Sequence, residues 1–226
     1  LPEDEIIIKE INKINFNDIL FKSNRIKIRQ INSEIDREYF KVILSLGKFD
    51  YDKIKNYNIV FTPLHGSSIM AIPQVLKLAG YKNVNIVNEQ SKPDGNFPTV
   101  KSPNPEDKEA LSMAIDKARK IKADIVIGTD PDSDRLGIAV LSNENEWEIL
   151  NGNQIMTIMI DFLLREYINK KSPNGNEFIA TTIVSSPIIK LIANHYQFDY
   201  KETLTGFKWI GKLIKDNPNH NFIAGG

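Results

Sequence analysis

Three aspartates at alternate positions follow an apolar run in this sequence. The run Ile125 to Gly128 predicts a buried strand, and Asp130, Asp132 and Asp134 come just after it. Mg²⁺ prefers hard oxygen ligands in octahedral geometry and keeps part of its shell for water or substrate phosphate. The three carboxylates could supply half of that shell, so this loop is a candidate Mg²⁺ site.

Arg135 directly follows the last of these aspartates. A guanidinium is a fixed cation, and its fork of donors suits a phosphate group. A metal loop beside such a cation indicates phosphate chemistry assisted by metal. Arg135 is therefore the candidate catalytic cation.

Other classes of protein place aspartates in similar loops. An EF-hand needs glycine at its sixth position and glutamate at its twelfth, where this chain has Arg135 and Leu141, so that class is excluded. A haloacid-dehalogenase-like phosphatase also has Asp-x-Asp after a buried strand, with Asp130 as nucleophile and Asp132 as acid. A non-catalytic binding domain would use the aspartates only to cap backbone donors in a polar turn. The loop alone leaves the last two alternatives open.

The composition limits the classes of partner. Lysine plus arginine and aspartate plus glutamate each number 29 among 226 residues, so the formal net charge is zero. Nothing there indicates nucleic acid or a membrane as a partner. Cysteine is absent, which excludes disulfides and thiolate metal sites. Because the sequence also lacks a long apolar run, a signal-like amino terminus and a glycine-rich nucleotide loop, we expect a cytoplasmic protein that does not bind nucleotides.

Strand-like apolar runs alternate with helical patterns, which predicts an α/β fold with mixed, largely parallel sheets and crossover helices. We expect two consecutive α/β units: residues 41–151 with the metal loop and an incomplete unit at 152–226, after a connector at 1–40 that also starts the first unit. An unpaired final strand would make the carboxyl end the weakest region. The predicted strands are 58–61, 84–87, 124–128, 136–141, 147–150, 178–184, 198–201 and 222–224, and the predicted helices are 67–78, 104–120, 154–167, 187–194 and 207–215.

Six motifs occur along the chain in an order that resembles the α-D-phosphohexomutase family. Each motif alone is weak, but their combination and order are specific. The Phe-Pro-Thr-Val and Thr-Gly-Phe-Lys-Trp segments look most like the branch that holds phosphoglucomutases and phosphopentomutases of the longer type. The motifs are Thr62-Pro63-Leu64-His65-Gly66, Pro93-Asp94-Gly95-Asn96-Phe97-Pro98-Thr99-Val100, Pro103-Asn104-Pro105-Glu106, Asp130 to Gly137, Asn151-Gly152-Asn153, and Glu202-Thr203-Leu204-Thr205-Gly206-Phe207-Lys208-Trp209.

The resemblance implies a four-domain parent enzyme, of which this chain would be domain II and most of domain III. In the family, a phosphoserine in domain I carries the transferred phosphoryl group, and a loop of domain IV binds phosphate. We therefore expect the chain to need domains I and IV and to be inactive alone. The parent would interconvert sugar 1-phosphates and 6-phosphates, or pentose 1-phosphates and 5-phosphates, through a bisphosphate. It would use Mg²⁺ and an activator of the glucose 1,6-bisphosphate type.

The resemblance also implies roles for residues outside the metal loop. It places His65 beside the active cleft, in a structural or phosphate-orienting role rather than as a base. It places Thr205 and Gly206 in a stretch that contacts the sugar phosphate. Lys208 and Lys101 are further candidates for neutralising phosphate, although either could equally be a solvated lysine.

Overall fold

The computed structural model describes residues 2–22, 24–29, 31, 33–47 and 51–226. The chain divides into two compact units, Leu1–Leu46 and Gly47–Gly226. The described residues of the first unit form two helices with short 3₁₀ turns between them. They are α1 (Pro2–Ile11), the turns Phe16–Asp18 and Arg25–Lys27, and α2 (Ser33–Leu46). None of the helices in the described residues is both long and apolar enough to span a membrane.

The larger unit begins with a short helix and then forms a mixed sheet. Its elements are α3 (Tyr51–Ile54), β1 (Asn58–Thr62), α4 (Ile72–Leu78), β2 (Asn83–Ile86), α5 (Lys108–Ile121), β3 (Ile125–Thr129), β4 (Leu136–Leu141) and β5 (Trp147–Leu150). The strand order is β2-β1-β3-β4-β5. Strand β1 runs parallel to β2 and β3, whereas β4 is antiparallel to β3 and β5.

A second sheet follows in the same unit and is parallel throughout. Its elements are α6 (Gly152–Ile168), β6 (Glu177–Thr182), α7 (Ile188–His195), β7 (Asp199–Thr203), α8 (Phe207–Asp216) and β8 (Asn221–Gly225). The strand order is β7-β6-β8, and β6 is buried along its whole length. The final strand, β8, pairs with β6 along one side and lies at the edge of the sheet, so the expected weakness of the carboxyl end stays a prediction.

Helix α5 covers one face of the first sheet, since its apolar residues recur at helical spacing. Leu111, Ala114 and Ala118 are buried, and they form one core cluster with Val60 of β1 and Val126 of β3. Small alanine side chains on this face leave room for the helix to lie close to the strands. The cluster supports the strand that leads into the three-aspartate loop.

Helices cover both faces of the second sheet. Successive residues of β6 point to opposite faces, so adjacent residues pack against different helices. Ile179 packs in a cluster with Leu164 of α6 and Ile189 of α7. The adjacent Phe178 packs instead in a cluster with Ile210 of α8. The predicted α/β fold with two sheets and crossover helices is thus confirmed.

Several predicted boundaries differ from the structure for local reasons. The helix predicted at 104–120 begins only at Lys108, because the Asn104 side chain accepts the Glu106 N–H (3.2 Å) and closes a turn instead of capping the helix. The helix predicted at 67–78 is a 3₁₀ turn at Ser67–Met70 followed by α4, with Pro73 in the first turn of α4.

Candidate functional site

The three aspartates lie in the loop that connects β3 to the antiparallel strand β4. One carboxylate oxygen from each of Asp130, Asp132 and Asp134 lies within 4.8 Å of the other two. Asp130 is buried, whereas Asp132 and Asp134 are exposed. The loop thus gathers three hard oxygen ligands around a point that solvent and a ligand can reach.

Arg135 closes this loop by binding Asp130 twice. Oδ1 of Asp130 accepts the backbone N–H of Arg135 (2.9 Å), and Oδ2 accepts its Nε–H (2.8 Å). Burial alone would raise the pKa of Asp130, but the two hydrogen bonds from Arg135 hold that pKa below its usual value. The Arg135 side chain remains 60% exposed. The arginine is therefore anchored at one edge and accessible at the rest of its guanidinium.

Negative charge is concentrated at the outer part of the loop. The neighbouring carboxylates of Asp130 and Asp132 raise the pKa of Asp134, because like charges disfavour its ionised form. The Arg135 Nε lies 3.7 Å from the Asp134 carboxylate, which offsets only part of this repulsion. A divalent cation would relieve the remainder, so the residues present fit a Mg²⁺ site in charge and in ligand type.

The segment after β1 holds the metal loop in place. Pro131 accepts hydrogen bonds at its carbonyl from the Ser67 N–H (2.9 Å) and the Ser67 hydroxyl (3.1 Å). The Ser68 and Thr129 hydroxyls lie 2.6 Å apart. A Cβ added to Gly66 would lie 2.4 Å from the Pro131 Cα, so the two loops touch there. Sequence reasoning missed these serines, although adjacent parallel strands bring their carboxyl ends together.

His65 belongs to a buried hydrogen-bond network beside this contact. Its Nδ1–H donates to the Lys92 carbonyl (3.1 Å), and its Nε2 bonds the Thr99 hydroxyl (2.8 Å). Gln90 donates from Nε2 to the same hydroxyl (3.1 Å) and accepts at Oε1 from Thr62 (2.6 Å). Both ring nitrogens of His65 are engaged. The histidine therefore fastens the loop after β2 to the end of β1.

Thr205 and Gly206 lie in the loop between β7 of the second sheet and α8. Gly206 has a φ of +116°, a backbone conformation that residues other than glycine rarely adopt. Its carbonyl accepts the Trp209 N–H (3.0 Å) at the start of α8. The Lys208 Nζ lies 5.3 Å from the centre of the Trp209 ring. Thr205 and Lys208 are exposed.

Lys101 is not part of the aspartate cluster. Its Nζ lies 3.2 Å from Oε1 of Glu109 on α5, and both side chains are largely exposed. A surface pair of this kind contributes little to stability. The structure thus brings the three aspartates and Arg135 together, whereas Lys101 lies on a separate surface segment.

A cavity of about 350 Å³ lies between the start of β4, α6 and the end of β8. Leu136, the residue after Arg135, lines it together with residues of α6 and with Ala224 to Gly226 at the end of β8. Strands of both sheets therefore border the same cavity. In open α/β sheets, ligands bind beyond the carboxyl ends of the parallel strands, which is where the metal loop lies.

Two family models match the chain. Residues 37–143 match the phosphoglucomutase/phosphomannomutase α/β/α domain II, and residues 151–226 match α/β/α domain III. A phosphomannomutase of Mycoplasmoides pirum is 34% identical over 229 residues, which cover 100% of this chain and 41% of that protein. A phosphoglucomutase of Staphylococcus aureus strain MRSA252 is 36% identical over 199 residues, covering 88% of this chain and 35% of that protein.

A solved structure shares the fold. A phosphoglucomutase/phosphomannomutase family protein from Burkholderia thailandensis has a TM-score of 0.64 and 18% identity, over 81% of this chain and 36% of that one. The chain thus spans well under half the length of the proteins that it matches. With consecutive matches to both domain models, it belongs to the phosphoglucomutase/phosphomannomutase family, and its two matched segments correspond to domain II and to domain III.

Proposed function

We propose that the longer protein containing this chain is a Mg²⁺-dependent phosphosugar mutase. A serine-bound phosphoryl group would pass to the free hydroxyl of a sugar monophosphate, and the resulting bisphosphate would reorient and return its other phosphoryl group to the serine. The observation that carries this proposal is the three-aspartate loop with Arg135, in a chain of this family. We assign residues 41–151 to domain II and 152–226 to an incomplete domain III, with 1–40 as the connector and the start of domain II.

Asp130, Asp132 and Asp134 would hold the Mg²⁺ ion. Their oxygens already lie within 4.8 Å of one another, and two of the three carboxylates are open to solvent. The ion would offset negative charge on the transferred phosphoryl group and on the serine oxygen. The three carboxylates exceed its charge, which explains why a cationic neighbour such as Arg135 belongs beside it.

Arg135 would act by electrostatic stabilisation of the phosphoryl group in transfer. Charge spreads over the phosphoryl oxygens in the transition state, and a cation that is already in position stabilises that charge without reorganising solvent. The two hydrogen bonds to Asp130 supply this positioning, while 60% of the side chain remains exposed for a ligand. His65 would support the site indirectly by fastening the loop that contains Thr99.

Thr205 and Gly206 would bind the phosphate of the sugar. The absence of a side chain at Gly206 lets a phosphate approach the backbone, and the exposed Thr205 hydroxyl can donate to it. Lys208 and Lys101 would be separate candidates for neutralising phosphate. Since the relatives include a phosphomannomutase and a phosphoglucomutase, glucose and mannose phosphates are the first substrates to test.

The test is an isomerisation assay on the longer protein. Glucose 1-phosphate, mannose 1-phosphate and ribose 1-phosphate are each supplied with a trace of glucose 1,6-bisphosphate and Mg²⁺. We expect conversion of at least one to its 6-phosphate or 5-phosphate, loss of conversion with EDTA, and recovery when Mg²⁺ is restored. Residues 1–226 alone should show none. Release of inorganic phosphate without isomer would instead identify a phosphatase, and metal-independent isomerisation would contradict the Mg²⁺ assignment.

A further inference from the structure

Two motifs with no role in the proposed chemistry meet where the two sheets join. Oε1 of Glu106, in the segment before α5, accepts the backbone N–H of Gly152, at the start of α6, across 2.6 Å. A Cβ added to Gly152 would lie 2.9 Å from that oxygen. The hydrogen bond spans 46 positions in sequence. It links the segment before α5, which packs on the first sheet, to α6, the helix that precedes the second sheet.

The contact completes the amino-terminal end of α6. Asn151 accepts the Gln154 N–H (3.0 Å) and Gln154 accepts the Asn151 N–H (2.9 Å), which forms a capping box. The Glu106 carboxylate accepts a hydrogen bond from the Gly152 N–H. Because a helix amino terminus is electropositive, an ionised carboxylate is the favourable partner there. The amino terminus of α6 is thus capped in part by Glu106, a residue from the segment before α5.

The same helix end is tied to the second sheet. Oδ1 of Asn153 accepts the Ser186 N–H (2.7 Å) in the loop between β6 and α7. A shift of the α6 terminus would therefore also shift the loop at the carboxyl end of β6. The first turn of α6 connects Glu106 on one side with this loop on the other.

Pro105, next to Glu106, packs on the base of the metal loop. Gly128 and Gly137 pair across β3 and β4, just below the aspartates. A Cβ added to Gly137 would lie 2.0 Å from the Pro105 carbonyl oxygen, and one added to Gly128 would lie 3.6 Å from the Pro105 Cβ. Pro105 is buried. The peptide Pro105–Glu106 therefore touches the metal-loop base with one residue and α6 with the next.

We propose that Pro105–Glu106 is a strut that fixes the second α/β unit relative to the metal loop, with Glu106 as a positioning residue. The consequence for catalysis rests on the proposed function, but the mechanical coupling does not. Loss of the Glu106 carboxylate frees the Gly152 N–H and lets α6 and the Ser186 loop move relative to the aspartates. A metal site and a sugar-binding loop on separate sheets need such a connection to act on one substrate.

The coupling can be measured on this chain as a distance distribution. The chain contains no cysteine, so Ser112→Cys on α5 and Lys190→Cys on α7, both exposed, accept two spin labels without further changes. Double electron–electron resonance should give one narrow distribution for the parent pair. With Glu106→Ala added, the population at other distances should rise several-fold, and Glu106→Gln, which keeps an acceptor oxygen, should restore most of the narrow peak.

Glu109→Gln is the matched control, since it removes a nearby carboxylate that pairs only with a surface lysine among its described contacts. It should leave the distribution unchanged. Circular dichroism confirms that each variant is folded. If Glu106→Ala does not fold, Gly152→Ala displaces the carboxylate from the other side and should broaden the distribution in the same way. A Glu106→Ala or Gly152→Ala distribution identical to the parent would overturn the strut.

The catalytic consequence is read separately in the longer protein. Glu106→Ala should lower kcat several-fold with a smaller change in KM, Glu106→Gln should recover most of it, and the Mg²⁺ requirement should be unchanged. Unchanged kcat in a variant whose distance distribution broadens would limit the strut to a purely mechanical role. If the longer protein is inactive without any substitution, the mutase proposal is contradicted. Broadened distances in the Glu106→Ala variant would still support the strut.

Discussion

The loops at the carboxyl ends of the two sheets are held in different ways. In the first sheet, Asp130 is buried and bonded by Arg135 of its own loop, and His65 is buried and bonded by the loop after β2. In the second, Leu204 is 57% exposed and Phe207 66% exposed on either side of the candidate phosphate loop. The first site is therefore arranged before any ligand arrives, as electrostatic catalysis needs. The second is a solvent-facing surface suited to recognition.

The largest effect should come from a change within the arranged site. Asp132→Asn in the longer protein should lower kcat by about 10²- to 10³-fold, the usual result of losing one preorganised electrostatic group, with little change in KM. Steady-state assays at saturating Mg²⁺ measure both. Asp116→Asn on α5 removes an exposed carboxylate paired with Arg119 and should have no effect. Unchanged kcat for Asp132→Asn would contradict the ligand assignment.

A second test separates packing below the metal loop from the ordinary cost of replacing glycine. Gly137→Ala places a Cβ 2.0 Å from the Pro105 carbonyl oxygen and should lower the free energy of unfolding by about 1–3 kcal/mol or more. Gly95→Ala meets nothing within 4 Å and should be neutral or slightly stabilising. Urea denaturation of both variants measures the difference. Equal stabilities would show that the loop base tolerates movement.

A pair of threonine substitutions addresses the contrast itself. Thr99→Val removes the hydroxyl that bonds His65 and Gln90, so it should cost about 1–3 kcal/mol of unfolding free energy. Thr205→Val, in the exposed loop of the second sheet, should leave stability unchanged and raise KM in the longer protein. Thermal melts and assays together distinguish the two. A destabilising Thr205→Val with a neutral Thr99→Val would reverse the comparison.

The smallest effect concerns acid sensitivity in the second sheet. The Tyr167 hydroxyl donates to the buried Glu177 (2.6 Å), as does the Asn174 N–H (2.9 Å), and these bonds lower the Glu177 pKa. A depressed folded-state pKa contributes stability that is present above the unfolded value of about 4.3 and is lost as pH falls through the folded value. Glu177→Gln should therefore flatten the fall in stability between pH 5 and 3. An unchanged slope would exclude Glu177 as its source.

Local spacing predicted much of this molecule. The strands 136–141 and 147–150 match β4 and β5, because two short, mainly apolar runs on both sides of a polar turn predict a hairpin. The candidate metal ligands could be named for the same reason, since Asp130, Asp132 and Asp134 are close in sequence. The Asp130 contact with Arg135 spans only five positions.

Contacts that depend on strand order could not be read in this way. Ser67 bonds Pro131 across 64 positions, and Glu106 bonds Gly152 across 46. Neither pair is visible until β1 lies beside β3 and α6 begins at the end of β5. At Asn104 the local sequence was itself ambiguous, because an asparagine side chain can cap a helix or close a turn. In the structure it closes a turn, and the neighbouring Pro105 is buried against Gly137.

The most direct test of the central claim is to find where the transferred phosphoryl group resides. The longer protein is incubated with glucose 1,6-bisphosphate and Mg²⁺, and tandem mass spectrometry locates the phosphorylated residue. We predict phosphate on a serine that precedes residue 1 of this chain, with Asp130, Asp132 and Asp134 unmodified. Phosphate trapped on Asp130 would contradict the account, because that aspartate would then be a nucleophile and not a metal ligand.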